Sequence, residues 1–73
     1  MAKLPVMSGR EIVRTFESLG WAVDRQNASH IVLVKDGERA ALCVPDHKEV
    51  KKGTLRGLIR TASLTVDEFI AAS

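Results

Sequence analysis

Asp36-Gly37 interrupts the most β-prone stretch of the chain, and no other feature constrains the fold as much. It is a preferred pair for a two-residue hairpin turn, whose central positions need positive φ. The run before it, His30 to Lys35, is rich in β-branched residues, so Arg39 to Val44 must return beside it. Pro45 ends that strand by withdrawing a backbone donor. If Asp36-Gly37 is the whole loop, Lys35 faces Glu38, Leu33 faces Ala40, Ile31 faces Leu42 and His30 faces Cys43. One sheet face then carries Ile31, Leu33, Ala40, Leu42 and Val44 and should meet the helices. The other carries His30, Val32, Val34, Arg39, Ala41 and Cys43, which leaves His30 accessible and Val32 and Val34 in need of cover.

Helices bracket this hairpin. Ser8 and Glu11 have capping-box spacing, and Met7 and Ile12 are placed as a hydrophobic staple, so a helix should run from about Gly9 to Leu19. Ile12, Val13, Phe16 and Leu19 supply its apolar stripe, and Gly20 supplies the stop. Trp21 to Arg25 alternates as a short strand, and Gln26 to Ala28 reads as a tight connection. Asp46 to Lys52 is the longest expected loop. Thr54 is placed to cap a second helix with Leu55, Leu58, Ile59 and Ala62 inward, while Lys52, Arg56 and Arg60 form a basic stripe beside them. Gly57 weakens that helix by about 1 kcal/mol relative to alanine, a hint of close packing or mobility. Thr65 and Glu68 repeat the capping box, so a short last helix should cover Val66 to about Ala72. The order is α-β-β-β-α with a short C-terminal helix added, hence α+β, with a three-stranded antiparallel sheet and helices on one face.

At 73 residues the chain has room for one domain, 1–73, and a large enclosed substrate pocket is not expected. Cys43 is alone, which excludes an intrachain disulfide and multi-cysteine zinc sites and suits a buried thiol in a reducing cytoplasm. No apolar run approaches the roughly 18 residues needed to cross a bilayer, so no membrane association and a cytoplasmic location are expected. The net charge of +2 is unevenly spread: residues 1–47 balance six basic against six acidic side chains, whereas 48–60 carry five basic and one acidic. That local excess is what a polyanion would find.

His30 is the first candidate for chemistry, since imidazole is the side chain that exchanges protons near neutral pH. Read alone, it is more readily a strand histidine that bonds a loop than a catalytic group. His47, after Pro45, reads more readily as a turn residue than as a second acid–base group. Zinc would need His30, His47, Cys43 and Asp46 to converge, so no metal or other cofactor is assigned. The cations Lys48, Lys51, Lys52, Arg56 and Arg60 could simply solubilise a helix face, but their clustering at a helix start favours phosphate contact. Trp21 and Phe16 could stack on bases, although their spacing fits the core better.

The element order, the Ser29-His30 step opening the second strand, Pro45-x-His47, and Gly53-Thr54-Leu55 opening the next helix together resemble the HicA (YcfA-like) family of toxin ribonucleases, over Ile12 to Phe69. The resemblance implies a fold similar to a double-stranded RNA-binding domain. It also implies metal-independent cleavage of messenger RNA and inhibition by a HicB-type antitoxin. The catalytic histidine of the family's Gly-Ser-His falls on His30, with Ser29 matching and Ala28 at the glycine position. The expected site is therefore His30 as general base or acid, with Ser29, Lys48, Lys51, Lys52, Thr54, Arg56 and Arg60 contacting RNA. The chain on its own is expected to be a monomer. A noncatalytic RNA-binding module and a pure protein-interaction domain are the alternatives.

Overall fold

The computed structural model describes residues 3–73. Six elements follow in order: α1 Gly9–Ser18, β1 Ala22–Asn27, β2 His30–Val34, β3 Leu42–Pro45, α2 Lys52–Thr61 and α3 Val66–Ala72. The strands form one antiparallel sheet in the order β1-β2-β3. The α+β architecture expected from the sequence is the one observed.

Both capping boxes are formed. The Ser8 hydroxyl accepts from the Glu11 N–H at 3.2 Å while the Ser8 N–H donates to Glu11 Oε1 at 2.9 Å. Thr65 and Glu68 repeat the exchange at α3, at 3.1 and 2.9 Å. Gly20, at φ 99°, follows the end of α1, and the Lys35 ammonium donates to the Leu19 carbonyl at 3.1 Å. Met7 and Ile12 are both buried, as the staple requires.

One core cluster joins Leu4 at one end to Phe69 at the other. Ile12 and Phe16 of α1, Ile31 and Leu33 of β2, Leu42 and Val44 of β3, and Leu55 and Ile59 of α2 meet there. Phe16 packs its ring against Trp21 edge-on and against Phe69 at 5.1 Å, so both aromatics considered for base stacking are buried in the core. The helices cover the face expected to meet them.

The register differs from the expected one by two residues. Leu33 pairs with Leu42, Val32 with Cys43, Ile31 with Val44 and His30 with Pro45. The cause lies in the turn. Glu38 N–H donates to the Lys35 carbonyl at 3.1 Å, and Gly37 has φ 86° while Asp36 is not in the positive region, the pattern of a type II turn. A type II turn splays the strands that it joins, so residues 39–41 leave the sheet before pairing begins, and the 35–41 segment is the longer loop. A shift of two preserves the alternation of faces, so Ile31, Leu33, Leu42 and Val44 remain inward.

Other expectations are corrected. β1 extends through Asn27, and the connection is the two-residue loop Ala28-Ser29. Lys51 is the N-cap residue of α2, and Thr54 lies inside the first turn because the helix opens at Lys52. Cys43 is exposed rather than buried, since it sits on the face away from the helices. Val32 shares that face yet is buried at 6%, leaving Val34 there without cover. Gly57 is neither closely packed nor a point of contact, for nothing lies within 4 Å of a side chain placed there.

Candidate functional site

The β1–β2 turn, the start of α1 and the β3–α2 connection meet at one end of the sheet. Asp46 joins them. Its N–H donates to the Ser29 carbonyl at 2.7 Å, and its carboxylate accepts from Arg10 of α1 at 3.3 Å and from Gln26 of β1 at 3.2 Å. One residue on, the His47 carbonyl accepts from the Gly9 N–H at 2.9 Å. A Cβ on Gly9 would fall 2.0 Å from the Pro45 carbonyl oxygen, so only glycine allows α1 to approach this loop so closely. Val50 N–H then donates to the Met7 carbonyl at 2.9 Å, tying the end of the loop to the segment before α1.

His30 opens β2 directly after this turn, and its side chain is exposed. Ala28 has φ 47°, in the left-handed region, and is the first of the two loop residues. Positive φ at that position alone is the pattern of a type II′ turn, for which glycine is the usual residue. Ser29 and His30 are therefore presented by a tight turn whose backbone is pinned from the side by Asp46.

The basic residues fall into two sets. Lys48 lies three residues beyond Pro45, the strand partner of His30, and Lys51 and Lys52 begin α2; all three are exposed. The first turn of α2 has no side-chain cap and no acidic residue, in contrast to α1 and α3. Its leading N–H groups, that of Thr54 among them, are thus free to face an anion. Arg56 and Arg60 continue the exposed stripe up the helix, where Arg60 is about 12 Å along the axis from Lys52 at 1.5 Å per residue. There the two arginines flank a shallow groove of about 230 Å³ floored by Ile59, Leu64 and Val66. Ser29, His30 and Lys48 lie on the joined turn and loop, whereas Arg60 lies about two turns further along α2 than Lys52.

Among the described residues no three His, Cys, Asp or Glu side chains gather in a metal-binding group. The zinc alternative required Cys43 opposite His30, and Cys43 instead pairs with Val32. No helix of the described residues is long and apolar enough to cross a membrane.

Arg10, Gln26 and Gly9 are not legible in the sequence as site residues, and Asp46 is legible only as a candidate metal ligand. Gly9 carried the one readable signal, since glycine is a poor choice inside the first turn of a helix unless a neighbouring backbone comes close. The bonds made by Asp46 are tertiary and leave no local pattern.

The sequence matches the family described as HicA toxin of bacterial toxin-antitoxin over residues 9–64. Among solved structures, a chain of a toxin-antitoxin complex from Streptococcus pneumoniae is 36% identical, with a TM-score of 0.70, over 80% of this chain and 98% of that one. No curated protein matches the sequence.

Proposed function

The chain belongs to the HicA toxin family of bacterial toxin–antitoxin systems, and from that premise we infer that it is an endoribonuclease of messenger RNA with His30 as a proton-transfer group. The observation that carries the reading is the exposed imidazole on a turn that Asp46 pins beside the lysine-bearing loop. RNA brings its own nucleophile, the 2′-hydroxyl. The enzyme need only remove its proton, protonate the departing 5′-oxygen and offset charge on the phosphorane. Lys48, Lys51, Lys52 and the open first turn of α2 at Thr54 hold phosphates close to the turn, Ser29 contacts the same nucleotide, and Arg56 and Arg60 extend the track along the helix. The reaction takes place in the cytoplasm, where messenger RNA is, and the described residues act as one HicA domain.

The neighbour from Streptococcus pneumoniae is a chain of a toxin-antitoxin complex, and by that likeness this chain pairs with an antitoxin of the HicB type. The antitoxin blocks the toxin by covering the His30 turn and the lysines beside it.

Cleavage and binding of an in vitro transcript by wild type and His30→Ala test the assignment. Loss of cleavage with retained binding is the expected result; a mutant that still cleaves at the wild-type rate defeats it. The noncatalytic alternative is the outcome in which the wild type binds RNA and cuts none.

A further inference from the structure

We propose that His47 is the second proton-transfer group of the site, set across the scissile phosphate from His30; the inference rests on the RNA-cleaving reading above. His30 and Pro45 are strand partners, and the Asp46 N–H to Ser29 carbonyl bond carries the antiparallel ladder one residue past β3. Successive side chains of a strand point to opposite faces. Asp46 points to the helix side, for its carboxylate reaches Arg10 of α1 and Gln26, whose partner Ile31 is in the core. Alternation puts Pro45 on the other side, the side of His30, and the proposal extends it by one step to His47, the second residue beyond the strand.

Diagonal neighbours in a regular ladder are about 7–8 Å apart, and the proposal sets His30 and His47 at a spacing of that order. Two imidazoles so placed leave between their rings room for one phosphodiester. Both side chains are exposed. None of the side-chain hydrogen bonds among the described residues engages either ring. What holds the fold at position 47 is the backbone carbonyl, which accepts from Gly9. Any residue supplies that carbonyl, so the structural role leaves the imidazole unused.

The chemistry balances with two histidines. One neutral ring takes the 2′-hydroxyl proton as the 2′-oxygen attacks phosphorus; the other, protonated ring gives its proton to the 5′-oxygen as the P–O5′ bond breaks. A 2′,3′-cyclic phosphate and a 5′-hydroxyl result, and exchange with water restores both rings. Lys48, one residue from His47, carries no acceptor and serves the phosphate charge instead.

The test compares wild type, His30→Ala and His47→Ala on an oligoribonucleotide spanning a mapped cleavage site. A second copy of the oligonucleotide carries sulfur in place of the 5′-bridging oxygen, a leaving group that needs no proton. His47→Ala should lower the cleavage rate about 10²- to 10⁴-fold, with RNA affinity within about threefold of wild type. On the sulfur substrate one of the two variants, the one lacking the acid, should recover and the other should not. The inference is overturned if His47→Ala cleaves within about threefold of wild type, if its loss is confined to RNA affinity, or if both variants respond alike to sulfur. His47 is exposed, so a folded variant is expected, and circular dichroism confirms it. Should His30→Ala abolish cleavage while His47→Ala leaves it intact, only this inference fails; should wild type or His30→Ala contradict the ribonuclease reading, both fail.

Discussion

Replacing Gly9 by alanine adds one methyl group where the structure has least room for it. The new carbon would sit 2.0 Å from the Pro45 carbonyl oxygen and 3.0 Å from the Asp46 Cα. Both neighbours are backbone, so no rotamer relieves the clash. The loop must retreat by about 1 Å, an overpacking of the kind that costs about 1–3 kcal/mol. Retreat also breaks the Gly9 N–H bond to the His47 carbonyl, about 1 kcal/mol more. Alanine's helix preference offsets at most about 1 kcal/mol. The net expectation is a loss of about 1–3 kcal/mol, which at about 4–8 °C per kcal/mol lowers Tm by roughly 5–20 °C.

Gly57→Ala is the same chemical change with nothing within 4 Å of the added carbon, and it should stabilise by about 0.5–1 kcal/mol. Thermal and urea unfolding followed by circular dichroism measures both. A Gly9→Ala protein as stable as wild type would refute the reasoning, because the contact between α1 and the loop would then be loose. Cleavage should also fall in Gly9→Ala beyond the loss of folded protein, since the displaced residues are those that position His47.

Ala28→Gly relieves the left-handed φ of 47° at the turn before His30; it should stabilise by about 0.5–1 kcal/mol in the same unfolding assay, and a destabilised variant would mean the turn has another conformation. Asp46→Ala removes an ion pair whose arginine is exposed and whose carboxylate is partly covered, and should cost about 1 kcal/mol, yet cleavage should fall further than stability does; Asp46→Asn, which still accepts from Arg10 and Gln26, should recover most of the rate. Hydrogen bonding from the Ser8 N–H, and next from its side chain, holds the Glu11 carboxyl below its ordinary value of 4.5. The folded state therefore binds that proton less readily, so the stabilisation is present above pH 4.5 and is lost as pH falls through the depressed value. Amide exchange at the start of α1 should accelerate on acidification, and Glu11→Gln should remove that dependence; unchanged exchange down to full protonation would contradict the capping role.

What the sequence disclosed was whatever is encoded within a few residues. Ser8 with Glu11 and Thr65 with Glu68 fixed two helix starts, because a capping box is closed by residues three apart. The start of α2 was misplaced for the converse reason. Thr54 is a good capping residue that is not used as one, because the bond from Val50 to Met7 holds the preceding chain so that the helix opens at Lys52. Cys43 lost its place opposite His30 through the turn type, which composition alone does not decide between types I′ and II. From sequence Asp46 reads only as a candidate metal ligand, since nothing local shows that Arg10 and Gln26, 36 and 20 positions away, reach its carboxylate.

The two-residue error in register bears on function because of its size. A slip of one would have reversed the faces of β3, turning Leu42 and Val44 out of the core and every residue after them to the opposite side. A slip of two keeps His30 outward while replacing Cys43 by Pro45 as its partner, and so moves the whole β3–α2 connection two residues closer to the turn. In the expected register the ladder ended at Cys43, and His47 lay four residues beyond the partner of His30. In the observed one it lies two beyond. The splayed turn at Asp36-Gly37, far from the site, thus decides which side chain accompanies His30. Shortening the 35–41 loop to a true two-residue hairpin should therefore lower cleavage more than it alters RNA affinity, and equal losses in the two would sever this link between turn and site.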